Sequence, residues 1–222
     1  MAVLLVDLDD TLVDRSQVVR EWAADIAQHH SGDEGLEQWL VEWDCDGNDV
    51  RDRRDFLSGV QARLGMTESV DELLQRWPYE FGGHHRLDEA TRSVLGSTRR
   101  RGVPVVIVTN GFTTQQEAKL DAIGARNLVD GWVISERAGV RKPDRRIFEL
   151  AAESVGHALN GSWMVGDNPI ADIGGAANAG LRSVWVNRHH RSWVHEGEPP
   201  PTFQHPAPAI DYAATAILTA LG

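Results

Sequence analysis

Five short apolar runs, spaced along the chain with helix-like patterns between most of them, restrict the possible folds more than any other feature. Ala2–Val6 (AVLLV), Val103–Val108 (VPVVIV), Trp132–Ser135 (WVIS), Ser162–Val165 (SWMV) and Ser183–Val186 (SVWV) are β-prone and almost continuously apolar, as strands covered on both faces are. Thr114–Gln115–Gln116–Glu117 has the form of a capping box opening a helix, and Asn168–Pro169 reads as an N-cap followed by proline at the first helical position, with Gly180 as the stop. Alternation of this kind predicts an α/β protein with a parallel sheet and helices on both faces. EPPPTFQHPAPA is expected to be a surface connection and Ile210–Leu221 a closing helix.

One connection breaks the pattern. A crossover between parallel strands needs about a dozen residues, yet roughly 100 positions separate Val6 from Val103. Between them lie REWAADIAQHH, RRDFLSGVQARLG and SVDELLQRW, three amphipathic segments, and four of the eight tryptophans: Trp22, Trp39, Trp43 and Trp77. The expected organisation is a core formed by residues 1–14 and 87–222 with a helical insertion at 15–86. Linkers near Val13–Ser16 and Gly82–Asp88, with Gly82 and Gly83 as hinges, would let the insertion open and close.

Composition removes several classes of function. With 22 Lys plus Arg against 33 Asp plus Glu the net charge is −11, which opposes non-specific binding to nucleic acid or anionic membranes. No run reaches the ~20 apolar residues of a membrane span, and the N-terminal apolar stretch lacks the basic flank of a signal peptide. A cytoplasmic protein is expected. Cys45 is the single cysteine and forms no internal disulfide; it lies between Asp44 and Asp46, and nothing in that setting marks it as a nucleophile.

Polar residues follow the strands directly. Asp7–Leu8–Asp9–Asp10–Thr11 comes after the first, Thr109–Asn110–Gly111 after the second and Gly166–Asp167–Asn168–Pro169–Ile170–Ala171–Asp172 after the fourth, while Lys142–Pro143–Asp144 opens a helix after the third. In open α/β sheets ligands bind outside the carboxyl ends of the strands, so parallel strands would bring all four sites to one rim. Asp7, Asp9, Asp167 and Asp172 would repel one another there unless protonated or neutralised, and hard oxygen ligands in this number suit Mg²⁺. Lys142 and the Thr109 hydroxyl are donors of the kind phosphoryl oxygens require.

DLDDTL, VTNG, RKPD and GDNPIAD, in this order and spacing, resemble the four motifs of the haloacid dehalogenase superfamily, in the branch with a helical cap inserted after the first motif. The resemblance covers nearly the whole chain. It implies a Rossmann-like, doubly wound core and Mg²⁺-dependent phosphoryl transfer through an aspartyl-phosphate. Carried over, Asp7 would be the nucleophile and Asp9 the general acid, then the base that activates water. Thr109, Asn110, Gly111 and Lys142 would bind substrate, with Lys142 offsetting charge on the nucleophile and the phosphoryl group. Asp7, the Asp9 backbone carbonyl and Asp167 would ligate magnesium, and Asp172 would hold a metal-bound water. Asp10 and Asp14 would serve the turn and solvent.

Asp9 also separates the branches. The dehalogenases lack an acid two residues after the nucleophile, because a halide leaves without a proton; a phosphatase is favoured, with a phosphomutase as the alternative of the same fold. The phosphonatases use a lysine of the cap, and residues 15–86 contain none: Lys119 and Lys142 are the only two in the chain. A receiver domain lacks the helical insertion, and a purely binding member of the fold would be expected to lose one of the four charged residues. The TNG of the second motif and WVNR at Trp185–Arg188 are most similar to phosphatases of nucleoside monophosphates or acylated sugar-acid phosphates. The expected substrate is a small phosphorylated metabolite, a nucleoside monophosphate ahead of a sugar phosphate, handled by a monomer or homodimer. Within the insertion Arg51, Arg53 and Arg54 would more readily decorate a solvated helix face than meet a second anionic group. Trp43 would more readily pack than stack on a base, and His29–His30, His84–His85 and His189–His190 are weak metal sets because adjacent side chains diverge.

Overall fold

The computed structural model describes residues 2–30, 32–44 and 53–220. The chain divides into two compact units, Met1–Val13 with Arg86–Gly222, and Asp14–His85. The first contains a six-stranded sheet: β1 (Leu4–Val6), β2 (Val105–Thr109), β3 (Gly131–Ile134), β4 (Trp163–Gly166), β5 (Arg182–Val186) and β6 (Thr202–Phe203). The order is β3-β2-β1-β4-β5-β6, with every neighbouring pair parallel. The chain winds from β1 outward through β2 and β3, then crosses back and winds the other way from β4, so the crevice lies at the carboxyl ends of β1 and β4. Asp7 and Asp167 follow those two ends. β6 lies in the segment expected to be a plain surface connection. It pairs Thr202 with Trp185 and Phe203 with Val186; two residues are too few to show a period, and a proline-flanked strand is tolerated at an edge.

The second unit is helical: α1 (Arg15–His29), α2 (Leu36–Asp44), α3 (Arg53–Leu64) and α4 (Val70–Gly82). Asp14 caps α1 by accepting from the Gln17 N–H at 2.8 Å. Ser69 and Glu72 form a reciprocal capping box at α4. α2 was not among the three expected segments; Leu36 and Leu40 are its buried stripe, short enough to escape notice beside the polar stretch that follows. Val19, Leu40, Phe56, Leu57, Trp77 and Phe81 form the core of the unit. Trp43 is partly buried and packs against that core, its indole donating to the Phe56 carbonyl at 3.0 Å. Arg53 pairs with Asp44 at 3.4 Å and covers the Phe56 ring, and Arg54 pairs with Asp71; Cys45 and Arg51 lie outside the described residues. Gly82 and Gly83 sit in helical backbone, with the Gly83 N–H bonded to the Tyr79 carbonyl, so neither uses the left-handed freedom that distinguishes glycine.

Six helices cover the sheet: α5 (Glu89–Arg100), α6 (Thr113–Ala122), α7 (Ser135–Ala138), α8 (Arg145–Ser154), α9 (Gly175–Asn178) and α10 (Pro206–Thr219). Alternate residues of each strand point to opposite faces. Leu4 and Val6 join Leu95, Leu120, Ile210 and Ala213 on one side; Val3, Leu5, Val106 and Val108 join Ile147, Phe148 and Ala151 on the other. Burial on both faces explains why these strands read as continuous apolar runs. α10 begins at Pro206, earlier than Ile210, because proline is well placed in a first helical turn.

The capping box expected at Thr114–Glu117 does not form. α6 starts at Thr113 after Phe112, with no side-chain cap. The Thr113 N–H donates instead to the Glu136 carboxylate at 2.8 Å, and Glu117 pairs with Arg137 at 2.7 Å. α7 thus satisfies the end of α6 from outside, which releases Gln116 for another task.

Candidate active site

β1 delivers Asp7 to the rim, where its N–H is held by the Val165 carbonyl of β4 at 2.9 Å. Its carboxylate accepts from Lys142 Nζ at 2.5 Å. The same ammonium stands 2.7 Å from Asp172 Oδ1. Asp167 is the third carboxylate: oxygens of Asp7, Asp167 and Asp172 lie within 4.8 Å of one another, and all three residues are buried. Asp167 Oδ2 accepts from Arg191 at 3.1 Å and its carbonyl accepts from the Trp185 indole at 2.8 Å.

Local backbone makes this density possible. Asn168 caps the π-helical turn Pro169–Gly174 by accepting from the Ile170 and Ala171 amides. The turn swings Asp172 back so that its Oδ2 accepts from the Asn168 N–H at 2.9 Å. A Cβ on Gly166 would stand 2.4 Å from the Asp172 carboxylate, closer than any real contact. The glycine before Asp167 is therefore a cradle for Asp172.

Electrostatics follow from burial. Desolvation pushes the Asp7 carboxyl up to about 7, opposed by Lys142 and reinforced by Asp172 and Asp9. Asp167 is also raised well above the usual carboxylate range, first by burial and then by Asp7, Asp172 and Asp10, with Arg191 opposing. Burial alone would lower Lys142, but Asp172 and Asp7 together outweigh it and hold the ammonium charged. Three hard-oxygen donors at this spacing, two of them resisting ionisation, make a donor set that suits a small divalent cation.

The second-motif residues divide their tasks. Thr109 is 1% exposed at the end of β2 and its hydroxyl accepts from Gln116 Nε2 at 2.6 Å. Asn110, expected to meet substrate, commits its side chain to the Lys142 backbone, donating to the carbonyl at 3.0 Å and accepting from the N–H at 2.9 Å. The Gly111 N–H is likewise committed, to Ser135 Oγ at 3.0 Å, and its φ of 149° with Gln116 pressed against it explains the glycine. Asp144 caps α8 by accepting from the Arg146 N–H. Asp10 adopts φ 56° and is buried, not solvated, with His189 at 3.5 Å; an aspartate tolerates this left-handed turn better than most residues do. Among the described residues neither His29–His30 nor His84–His85 joins a three-ligand group.

Asp9 is bound from an unexpected direction. Lys119 Nζ lies 2.6 and 2.8 Å from its two oxygens, and Gln116 Nε2 donates to Oδ2 at 2.8 Å. Sequence reasoning assigned neither residue. A signal was present: Gln116 and Lys119 are three apart and share a helix face, and the only two lysines among 22 basic residues both stand at site carboxylates. The capping-box pattern at Thr114–Glu117 gives the same turn a purely local role.

Known proteins resemble this chain to different extents. The chain is 43% identical to the pyrimidine 5'-nucleotidase YjjG of Escherichia coli K12 over 93 residues, 41% of each protein. It is 35% identical to a phosphoserine phosphatase of Thermus thermophilus over 146 residues, covering 66% of this chain and 58% of that one. These matches span less than two thirds of the relatives' lengths. In fold, the HAD-hydrolase YfnB from Bacillus subtilis bound to magnesium superposes with a TM-score of 0.71 at 21% identity, over 92% of this chain and 94% of that one. The family model for haloacid dehalogenase-like hydrolases matches residues 1–180, a span that takes in Asp7 and Asp9 in the loop after β1, the Lys142 loop and the Asp167–Asp172 turn. By that match the chain belongs to the haloacid dehalogenase-like hydrolase family.

Proposed function

We propose that this protein is a magnesium-dependent phosphomonoester hydrolase that transfers the phosphoryl group of a small metabolite to Asp7 and then to water. The observation that carries the reading is Lys142 lodged between Asp7 and Asp172, with Asp167 within reach of both. A fixed cation beside a buried carboxylate opposes the effect of burial, favours the ionised form of the oxygen nucleophile and draws phosphoryl oxygens toward it. Magnesium, held by the Asp7 and Asp167 carboxylates and the Asp9 carbonyl, would supply further neutralisation of the transferring group.

The residues then divide the work. An Asp7 oxygen bonds to phosphorus as the bond to the leaving oxygen breaks, and Asp9 gives that oxygen its proton. Asp9 next takes a proton from water as the water oxygen bonds to phosphorus, and the Asp7–phosphorus bond breaks to release inorganic phosphate. The Thr109 hydroxyl and Lys142 ammonium hold phosphoryl oxygens throughout. Asp9 is what favours a phosphate ester over a halide, since an alkoxide leaving group needs the proton.

A nucleoside monophosphate stands ahead of a sugar phosphate as substrate, supported by the TNG and WVNR segments and by a pyrimidine nucleotidase among the relatives. In this reading the helical unit is a cap that supplies selectivity, and the protein works in the cytoplasm as a monomer or homodimer. No helix among the described residues is long and apolar enough to cross a membrane. The test is phosphate release from a panel of nucleoside monophosphates, sugar phosphates and phosphoserine, with magnesium or EDTA, for wild type beside Asp7→Asn and Asp9→Asn. Metal-dependent release that both substitutions abolish is expected. Release that persists in Asp7→Asn would remove the nucleophile assignment, and no release from any ester would remove the reading.

A further inference from the structure

Helix α6 presents Gln116 and Lys119 to the loop after β1, and neither has a part in the chemistry above. Lys119 is 1% exposed, a depth lysines rarely reach unless paired. Its ammonium meets both oxygens of Asp9, at 2.6 and 2.8 Å. Gln116, 2% exposed, uses one nitrogen for two acceptors: Asp9 Oδ2 at 2.8 Å and Thr109 Oγ1 at 2.6 Å. An amide nitrogen carries two hydrogens and can serve both at once. The Asp9 side chain is itself 23% exposed, so its orientation depends on hydrogen bonds more than on enclosure.

We propose that Gln116 and Lys119 are positioning residues that hold the Asp9 carboxyl where it exchanges a proton with the leaving oxygen and with water. Gln116 keeps that place in register with the Thr109 hydroxyl, so the proton-transfer group and the phosphoryl-binding group are set by one amide. The inference rests on the phosphatase reading and deepens it. Residue type matters here. Lysine reaches both oxygens as a compact charge on a flexible stem, and a carboxylate in place of the Gln116 amide would face Asp9 with like charge. The contacts fix where the carboxyl stands, and a misplacement near 1 Å at a reacting group costs about a hundredfold in rate.

The test separates positioning from general damage by changing the leaving group. Phenyl phosphate and 4-nitrophenyl phosphate have nearly the same shape, but phenoxide needs protonation far more than 4-nitrophenoxide does. Values of kcat/KM, which report the first phosphoryl transfer, are measured with both esters and magnesium for wild type, Lys119→Met and Gln116→Met, with Tm recorded for each protein. The expected result is a loss for phenyl phosphate about tenfold or more greater than the loss for 4-nitrophenyl phosphate, the signature of a misplaced general acid. Equal losses with the two esters, or none, in a folded variant would overturn the inference and leave the phosphatase reading standing. If Lys119→Met does not fold, Gln116→Met decides alone, since it removes the amide and adds no buried charge. Wild type inactive on both esters would count against the phosphatase reading itself.

Discussion

The Asn110 side chain and the Lys142 backbone close a two-bond ring, with Nδ2 donating to the Lys142 carbonyl at 3.0 Å and the Lys142 N–H donating to Oδ1 at 2.9 Å. This ring joins the loop after β2 to the loop that carries the lysine, and the Lys142 ammonium is shared by Asp7 and Asp172. Asn110→Ala is expected to lower kcat/KM by about tenfold to a hundredfold through misplacement of the ammonium, with a stability loss of about 1–2 kcal/mol from two lost hydrogen bonds. A double-mutant cycle gives the sharper outcome. In a Lys142→Met background, Asn110→Ala should cost no further activity, because the two positions act as a unit. Additive losses would mean that Asn110 touches the substrate independently.

A second expectation concerns Gly166. Any Cβ there would lie 2.4 Å from the Asp172 carboxylate, itself 1% exposed, so Gly166→Ala must push Asp172 away from Lys142. Overpacking of this kind costs about 1–3 kcal/mol. The variant should also bind magnesium more weakly, since it disturbs one carboxylate of the buried trio. Isothermal titration with MgCl₂ and a thermal melt measure the two effects; a variant with wild-type magnesium affinity and Tm would contradict the cradle role.

These two positions also show how far the sequence could be read. The sheet was legible because parallel strands buried on both faces leave uninterrupted apolar runs, and their polar ends mark the rim by position alone. That position alone puts Asp7, Thr109 and Asp167 on the rim, whereas Lys142 comes after α7 and opens the next helix. Gln116 and Lys119 were not legible, because a helix residue that turns inward to meet a carboxylate from another strand leaves no local pattern. Thr114–Glu117 fits the form of a capping box, yet Glu136 and Arg137 of a neighbouring helix engage Thr113 and Glu117 instead. β6 and α2 escaped through brevity, and the buried state of Asp10 through the long reach of His189 back to the first loop.

Proton linkage supplies a third expectation. Asp7 is pushed up to about 7 in the folded protein from an ordinary value of 3.8, chiefly by burial. Between those values the folded state holds more protons than the unfolded one, so stability falls as pH rises through this window. In the proposed function magnesium competes with those protons for the same carboxylate. In EDTA, the Tm of wild type relative to Asp7→Asn should therefore decline from about pH 5 to pH 8, and the stabilisation by MgCl₂ should grow over the same range. A difference in Tm that does not change with pH would show that Asp7 ionises in the folded protein as freely as in the unfolded chain.

The helical unit offers a fourth expectation with a change of sign. Gly59 lies within α3, where alanine ordinarily stabilises a helix by about 0.5–1 kcal/mol. Here a Cβ would stand 2.6 Å from the Trp43 indole, which lies stacked on Trp39 at 5.3 Å and is anchored through its bond to the Phe56 carbonyl. The ring has little room to retreat, so Gly59→Ala should destabilise by about 1–3 kcal/mol through overpacking. Removing the ring should restore the intrinsic preference: in a Trp43→Ala background the same Gly59→Ala change should become neutral or stabilising. Urea melts of the four proteins, followed by far-UV circular dichroism so that loss of Trp43 does not alter the probe, give the cycle directly. If Gly59→Ala stabilises both backgrounds equally, the indole does not press on α3, and Trp43 would be free for a role other than packing.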